Sequence, residues 1–173
     1  MTRGALFTTP DGSAFVQGTP AGLASLFNNP TYATIFTPFS QPRLFSAVGG
    51  HVTEVDFFLP GGGNIPATVS GFGAIFTDVD LPDGSGPAEK RGNRKSSTLI
   101  EYFGTRGELL FTSFVPAAPG DGSLSFLGVV FPDARIAHVR ITSGNVAPGP
   151  DDNGIQDVVM MDDFLYGEPK RIQ

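Results

Sequence analysis

Cysteine is absent from this chain, and so is tryptophan. Without cysteine there are no disulfides, no thiolate nucleophile and no sulfur ligand. With only two histidines, His51 and His138, a zinc site of three or four nitrogen or sulfur ligands has too few donors. The missing cysteine does not fix a compartment, because 173 residues are enough to bury a core without cross-links. The missing tryptophan argues against a sugar platform built on indole stacking. Charge is also sparse, at 16% of residues, and its balance of -6 with a pI near 4.7 argues against a general nucleic-acid binder. No run approaches the roughly 18 apolar residues that span a bilayer, so no membrane insertion is expected. The first residues, Met1 to Phe7, carry one arginine and no long apolar core, so no signal peptide is expected either.

Glycine (23), proline (15) and phenylalanine (16) are plentiful, the composition of an aromatic β-rich core cut by turns. Helical periodicity is broken every few residues. The best helix-like piece, Ala21 to Phe27, meets Asn28-Asn29-Pro30 at once. Strand patterns recur instead, over residues 52–59, 68–80, 98–103, 108–115, 124–131, 135–142 and 157–166, with one or two earlier pieces at 5–8 and 14–17. Gly104-Thr105-Arg106-Gly107 reads as a hairpin connection between two of them. The expected fold is all-β: a jelly-roll-type antiparallel sandwich of about eight or nine strands in one domain over 1–173, with at most one short helix. Three loops interrupt it: Thr19 to Phe45, the basic Leu81 to Ser97, and Ser143 to Gln156.

Within the last strand, Asp162 and Asp163 sit side by side in an otherwise apolar run. Neighbours on a regular strand face opposite ways, so one carboxylate is expected to point inward, where it needs a partner, a proton or a metal. Asp78-Val79-Asp80 places two carboxylates on one face of a strand end, close enough to share a cation. Pro150-Asp151-Asp152-Asn153-Gly154 lacks EF-hand spacing and reads as a polar turn. His138, in an alternating strand, reads as a surface or cross-strand residue and His51 as exposed. Glu54, Asp56 and Glu101 are strand-borne acids from which a glycosidase pair could in principle be drawn. No Gly-x-Ser-x-Gly elbow is present. The basic loop with Lys90, Arg91, Arg94 and Lys95 reads as a solvated segment, with an anionic polymer as its alternative ligand. Tyr32, Phe36, Phe39 and Phe45 form either a ligand-binding patch or a satellite core beneath the first loop.

The segments Gly71 to Asp80, Leu124 to Val129, Val139 to Asn145 and Val158 to Phe164 resemble a group of bacterial exported β-sandwich proteins found among PEP-CTERM-type surface proteins. These are in turn similar to jelly-roll carbohydrate-binding and lectin-like modules. The resemblance covers roughly residues 50 to 168. It implies an extracellular or cell-surface location, and a Ca²⁺ ion tying the last strand to an early loop through Asp162 or Asp163, with Asp78, Asp80, Asp157 and Asn145 as further ligand candidates. Family members begin earlier, so an N-terminal edge strand is expected to be missing here.

Three readings of function follow. The first is a non-catalytic surface module, calcium-stabilised, that recognises a glycan or another surface component. The second is an assembly protein that forms homo-oligomers through an open sheet edge. The third is a polysaccharide-active hydrolase or lyase.

Overall fold

Alternating apolar and polar runs, cut by glycine and proline, become strands throughout the computed structural model of this chain, which describes residues 3–85, 95–150 and 155–172. In chain order these are β1 (Ala5–Thr8), β2 (Phe15–Gly18), β3 (Leu44–Ala47), β4 (Val52–Phe57), β5 (Ala67–Thr68), β6 (Gly71–Thr77), β7 (Leu99–Phe103), β8 (Leu109–Phe114), β9 (Leu124–Val130), β10 (His138–Thr142), β11 (Met160–Tyr166) and β12 (Lys170–Arg171). Two short helices, α1 (Pro20–Leu26) and α2 (Tyr32–Ile35), lie between β2 and β3. Among the described residues there are thus twelve strands and two helices, more of each than periodicity indicates. The additions are short: β3 and α2 fall in or beside the proline-dotted first loop, where no window is long enough to show a period. No helix among the described residues is long and apolar enough to cross a membrane.

Ten strands form two antiparallel sheets, β1-β4-β10-β7-β8 and β2-β3-β11-β6-β9, while β5 and β12 pair separately. The connectivity is that of one long hairpin rolled up. Working outward from β7–β8, the chain pairs β6 with β9, β4 with β10 and β3 with β11. Those eight strands make a jelly roll, and β1 and β2 add a fifth strand to each sheet beside β4 and β3.

Two cores follow from this arrangement. Between the sheets, Val55 and Phe57 of β4, Phe72, Ala74 and Phe76 of β6, Ile100 and Tyr102 of β7, and Val139 and Ile141 of β10 are all buried together. The outward partners Glu54 and Asp56 face the other way, as the alternation of β4 requires. A second core lies under the helices, where Leu23, Phe27, Tyr32 and Phe36 pack with Leu44 and Met160. Thr19 caps α1 by accepting the Gly22 N–H at 3.1 Å, and Pro20 stands in its first turn, where no N–H is needed.

Candidate functional site

The adjacent aspartates do not divide between interior and exterior. β11 pairs with β6 as Met161↔Phe76 and then Phe164↔Ala74, so one extra residue is inserted and Asp162 and Asp163 together oppose Ile75. This β-bulge overturns the expectation drawn from a regular strand: Met161 and Phe164 both stay with the inter-sheet core, and neither carboxylate enters it. Both reach instead to the turn at residues 38–40. Asp162 Oδ2 accepts the N–H of Phe39 at 2.6 Å and of Ser40 at 3.1 Å, and Asp163 Oδ2 accepts the Ser40 hydroxyl at 2.6 Å. Burial holds the Asp162 carboxyl above its ordinary range despite the two backbone donors.

The bulge borders a cavity of about 400 Å³ at the edge of the sandwich where β1 meets β2 and β3. Its walls are the half-buried rings of Phe7, Phe45, Phe164 and Tyr166. Phe7 and Phe164 lie 4.7 Å apart, Phe45 and Phe164 meet edge-on at 5.3 Å, and Phe15 stacks behind Phe45 at 4.7 Å. Arg3, Gln17, Ser40 and Arg43 supply polar groups at the rim, beside Asp162 and Asp163. Arg3, Gln17 and Arg43 are exposed, and among the described residues neither arginine enters an ion pair. Arg3, Phe164 and Tyr166 also line an adjoining recess of about 480 Å³, so the groove and this recess share a wall. Of the candidate aromatics only Phe45 belongs to it. Tyr32 and Phe36 are buried in the second core, and Phe39 is exposed outside the cavity lining, so the four do not form a shared patch. The apolar helix faces need a cover, and these rings supply it. Sequence reasoning missed Arg3, Phe7, Gln17, Arg43, Phe164 and Tyr166. One signal was present: Arg43 is the sole Lys, Arg, Asp or Glu between Asp11 and Glu54.

The other metal candidates gather elsewhere. Asp157 Oδ2 accepts the Asp80 N–H at 3.1 Å and a short hydrogen bond from the Ser97 hydroxyl. Asn145 accepts the Asp157 N–H at 2.8 Å and donates to the Pro82 carbonyl at 2.7 Å. These bonds staple the ends of two loops, 81–97 and 143–156, together. Asp78, at φ 67°, is pushed up to about 7 by burial first and then by the charges of Asp80, Asp157 and Asp121. Among the described residues no group of three or more Asp, Glu or His side chains is placed so that it could hold a metal ion. Residues 86–94 of the basic loop and 151–154 of the polar turn lie outside the described residues.

On the outer face of the β4–β10 pair, His138 bridges Asp56 (Nδ1, 2.9 Å) and Glu54 (Nε2, 2.7 Å), while Arg140 holds the other Glu54 oxygen at 2.7 Å. This is the cross-strand role expected of His138, next to a cavity of about 490 Å³ floored by Phe58, Phe103 and Ile172. The bonds to Asp56 hold the imidazole above its ordinary pKa. Both Glu54 oxygens are engaged, one by His138 and the other by Arg140, which leaves it poorly placed to act as a general base.

No family model matches the chain, and no curated protein does. Among solved structures the chain is similar to the enzymatically active domain of tailspike protein 4 from bacteriophage CBA120, at 13% identity and a TM-score of 0.38, over 94% of this chain. The chain spans 19% of that structure, a similarity too slight to assign a role.

Proposed function

We propose that this chain is a non-catalytic β-sandwich binding module of the cell surface whose ligand is a glycan, taken in the groove between β1 and β3. The observation that carries the reading is the meeting of half-exposed rings (Phe7, Phe45, Phe164, Tyr166) with exposed arginines that have no ion-pair partner among the described residues. Sugars present apolar C–H faces that lie on rings, and hydroxyls or carboxylates that arginine and glutamine donors can fix. Rim charges of both signs, Arg3 and Arg43 against Asp163, suit a ligand with dispersed polar groups.

Calorimetry and NMR titration with defined neutral and uronate-containing oligosaccharides test this. Binding is expected for one of these classes, with at least about a tenfold loss in Arg43→Ala, whose side chain is exposed and should leave folding intact. Salt dependence separates the classes, since only the uronate complex weakens strongly as ionic strength rises. Absence of binding across both, or binding indifferent to Arg43→Ala and Arg3→Ala, would overturn it. Calcium is proposed only as an addition at the Asp78 end, where a cation would relieve the crowding of carboxylates.

A further inference from the structure

The far side of the sandwich carries a second surface. Each sheet has two edges, and three of the four are blunted: β1 and β2 have four residues each, and β8 is broken by a register shift against β7. The fourth, β9, runs seven residues, Leu124-Ser125-Phe126-Leu127-Gly128-Val129-Val130, in unbroken register with β6 from Thr77↔Leu124 to Gly71↔Val130. It holds no charge, no proline and no bulge. Its outward side chains are apolar: Val130 is 81% exposed, Phe126 55% and Leu124 41%.

The direction of its free hydrogen bonds follows from the register. Phe131 N–H donates to Ser70 O, and Asp78 N–H donates to Ser123 O, so the odd-numbered residues of β9 bond to β6. The N–H and C=O groups of Leu124, Phe126, Gly128 and Val130 therefore point along the open edge. An antiparallel copy of the same strand, centred on Leu127, puts Leu124 opposite Val130 and Phe126 opposite Gly128 in each direction. All four residues on both copies are then satisfied, about eight bonds in all. The side chains agree with that register. The Phe126 ring already leans over glycine, since a Cβ on Gly128 or Gly73 would come within 2.8 or 2.9 Å of it. The same ring can cover Gly128 of the second copy, and leucine meets valine on either side.

We propose that β9 pairs with β9 of a second copy about a two-fold axis at Leu127, joining the two β2-β3-β11-β6-β9 sheets into one ten-stranded sheet. A second copy is the occupant the strand favours, because its register about Leu127 is self-complementary and sets Phe126 against Gly128 in both directions. Copies of formal charge -6 repel at long range, and a β6–β9 face with no charged residue in either strand adds no close like-charge contact to that repulsion. The glycan groove lies at the opposite edge of both sheets, so the pairing leaves two grooves free, and each proposal can fail without the other.

Sedimentation and light scattering from micromolar to several hundred micromolar protein are expected to show a mass that doubles with concentration. Leu124→Glu/Val130→Glu faces like charges across the axis twice and should raise the midpoint by roughly 100-fold or more. Leu124→Lys/Val130→Glu faces opposite charges in the same positions and should keep the dimer. Because the chain has no cysteine, Leu127→Cys tests the register directly: it should cross-link to itself on oxidation, whereas Ser125→Cys should not. Circular dichroism confirms that each variant folds. A wild type that stays monomeric throughout overturns the proposal, including the case where another protein's strand takes the edge. A dimer that responds alike to both charge pairs, or that leaves Leu127→Cys uncross-linked, overturns it as well.

Discussion

Asp78 occupies a left-handed backbone position beside three other acids, and its carboxyl titrates near 7 rather than 3.8. A raised acid stabilises the fold fully below 3.8, and that contribution drains away as pH climbs towards 7, because the unfolded chain releases the proton first. Asp78→Asn should therefore stabilise the fold at pH 8 by about 1 kcal/mol after allowing for partial exposure, seen as a rise of ~3 °C in melting temperature, and do little at pH 3.5. Asparagine also tolerates the positive φ. Millimolar Ca²⁺ at pH 8 should mimic the substitution if a cation is held there, and have no effect on the variant. His138 behaves in the opposite chemical sense, as a base raised above 6.5. Its ion pairs contribute fully below 6.5 and are lost as pH rises through the folded value. Thermal scans across pH 6 to 9 should show a decline in the wild type that His138→Gln lacks.

At the scale of elements, two polar staples hold loops that propensity alone would leave loose. The Tyr32 hydroxyl donates to Gly149 O at 3.1 Å and accepts from Gly149 N at 3.2 Å, tying α2 to the segment before β11. Tyr32→Phe removes both bonds to Gly149, leaving its N–H without that acceptor and its carbonyl with only the long bond from Asn29 Nδ2 at 3.4 Å, and should cost about 1–2 kcal/mol, read from denaturant midpoints at constant m. The β11 bulge is the second staple. Asp162→Ala releases the N–H groups of Phe39 and Ser40 and should cost about 1–3 kcal/mol. It should also loosen the groove rim at Ser40, seen as faster amide exchange at residues 38–40. Most strands were legible from alternation, because each needs only its own period. The bulge was not, since it is a mismatch between β11 and β6 and exists only where the two are paired.

For the molecule as a whole, the jelly roll sets two unlike edges back to back. The β1–β2 side opens on the aromatic groove, and the β8–β9 side ends in an uncharged strand. If β9 pairs as proposed, two grooves face away from one axis, and a polymeric glycan presenting repeated epitopes should bind the dimer more tightly than the Leu124→Glu/Val130→Glu monomer, while a short oligosaccharide binds both alike. Surface-immobilised polymer against free oligosaccharide measures the difference.

The linear chain by itself determined the class of fold. Glycine and proline punctuation, sparse charge and period-two apolar runs leave antiparallel strands as the way to bury sixteen phenylalanines' worth of side chain. It also placed Glu54, Asp56 and His138 on outward positions, as a two-residue period must. Tertiary structure alone decided the site. Arg3, Gln17, Arg43 and Phe164 lie far apart along the chain and meet only because β1, β2, β3 and β11 converge at one edge. It likewise decided that Tyr32 and Phe36 face a second core, and that two neighbouring aspartates share one face. Contacts between distant segments depend on how the sheets close, and closure belongs to the whole rolled hairpin rather than to any stretch of residues within it.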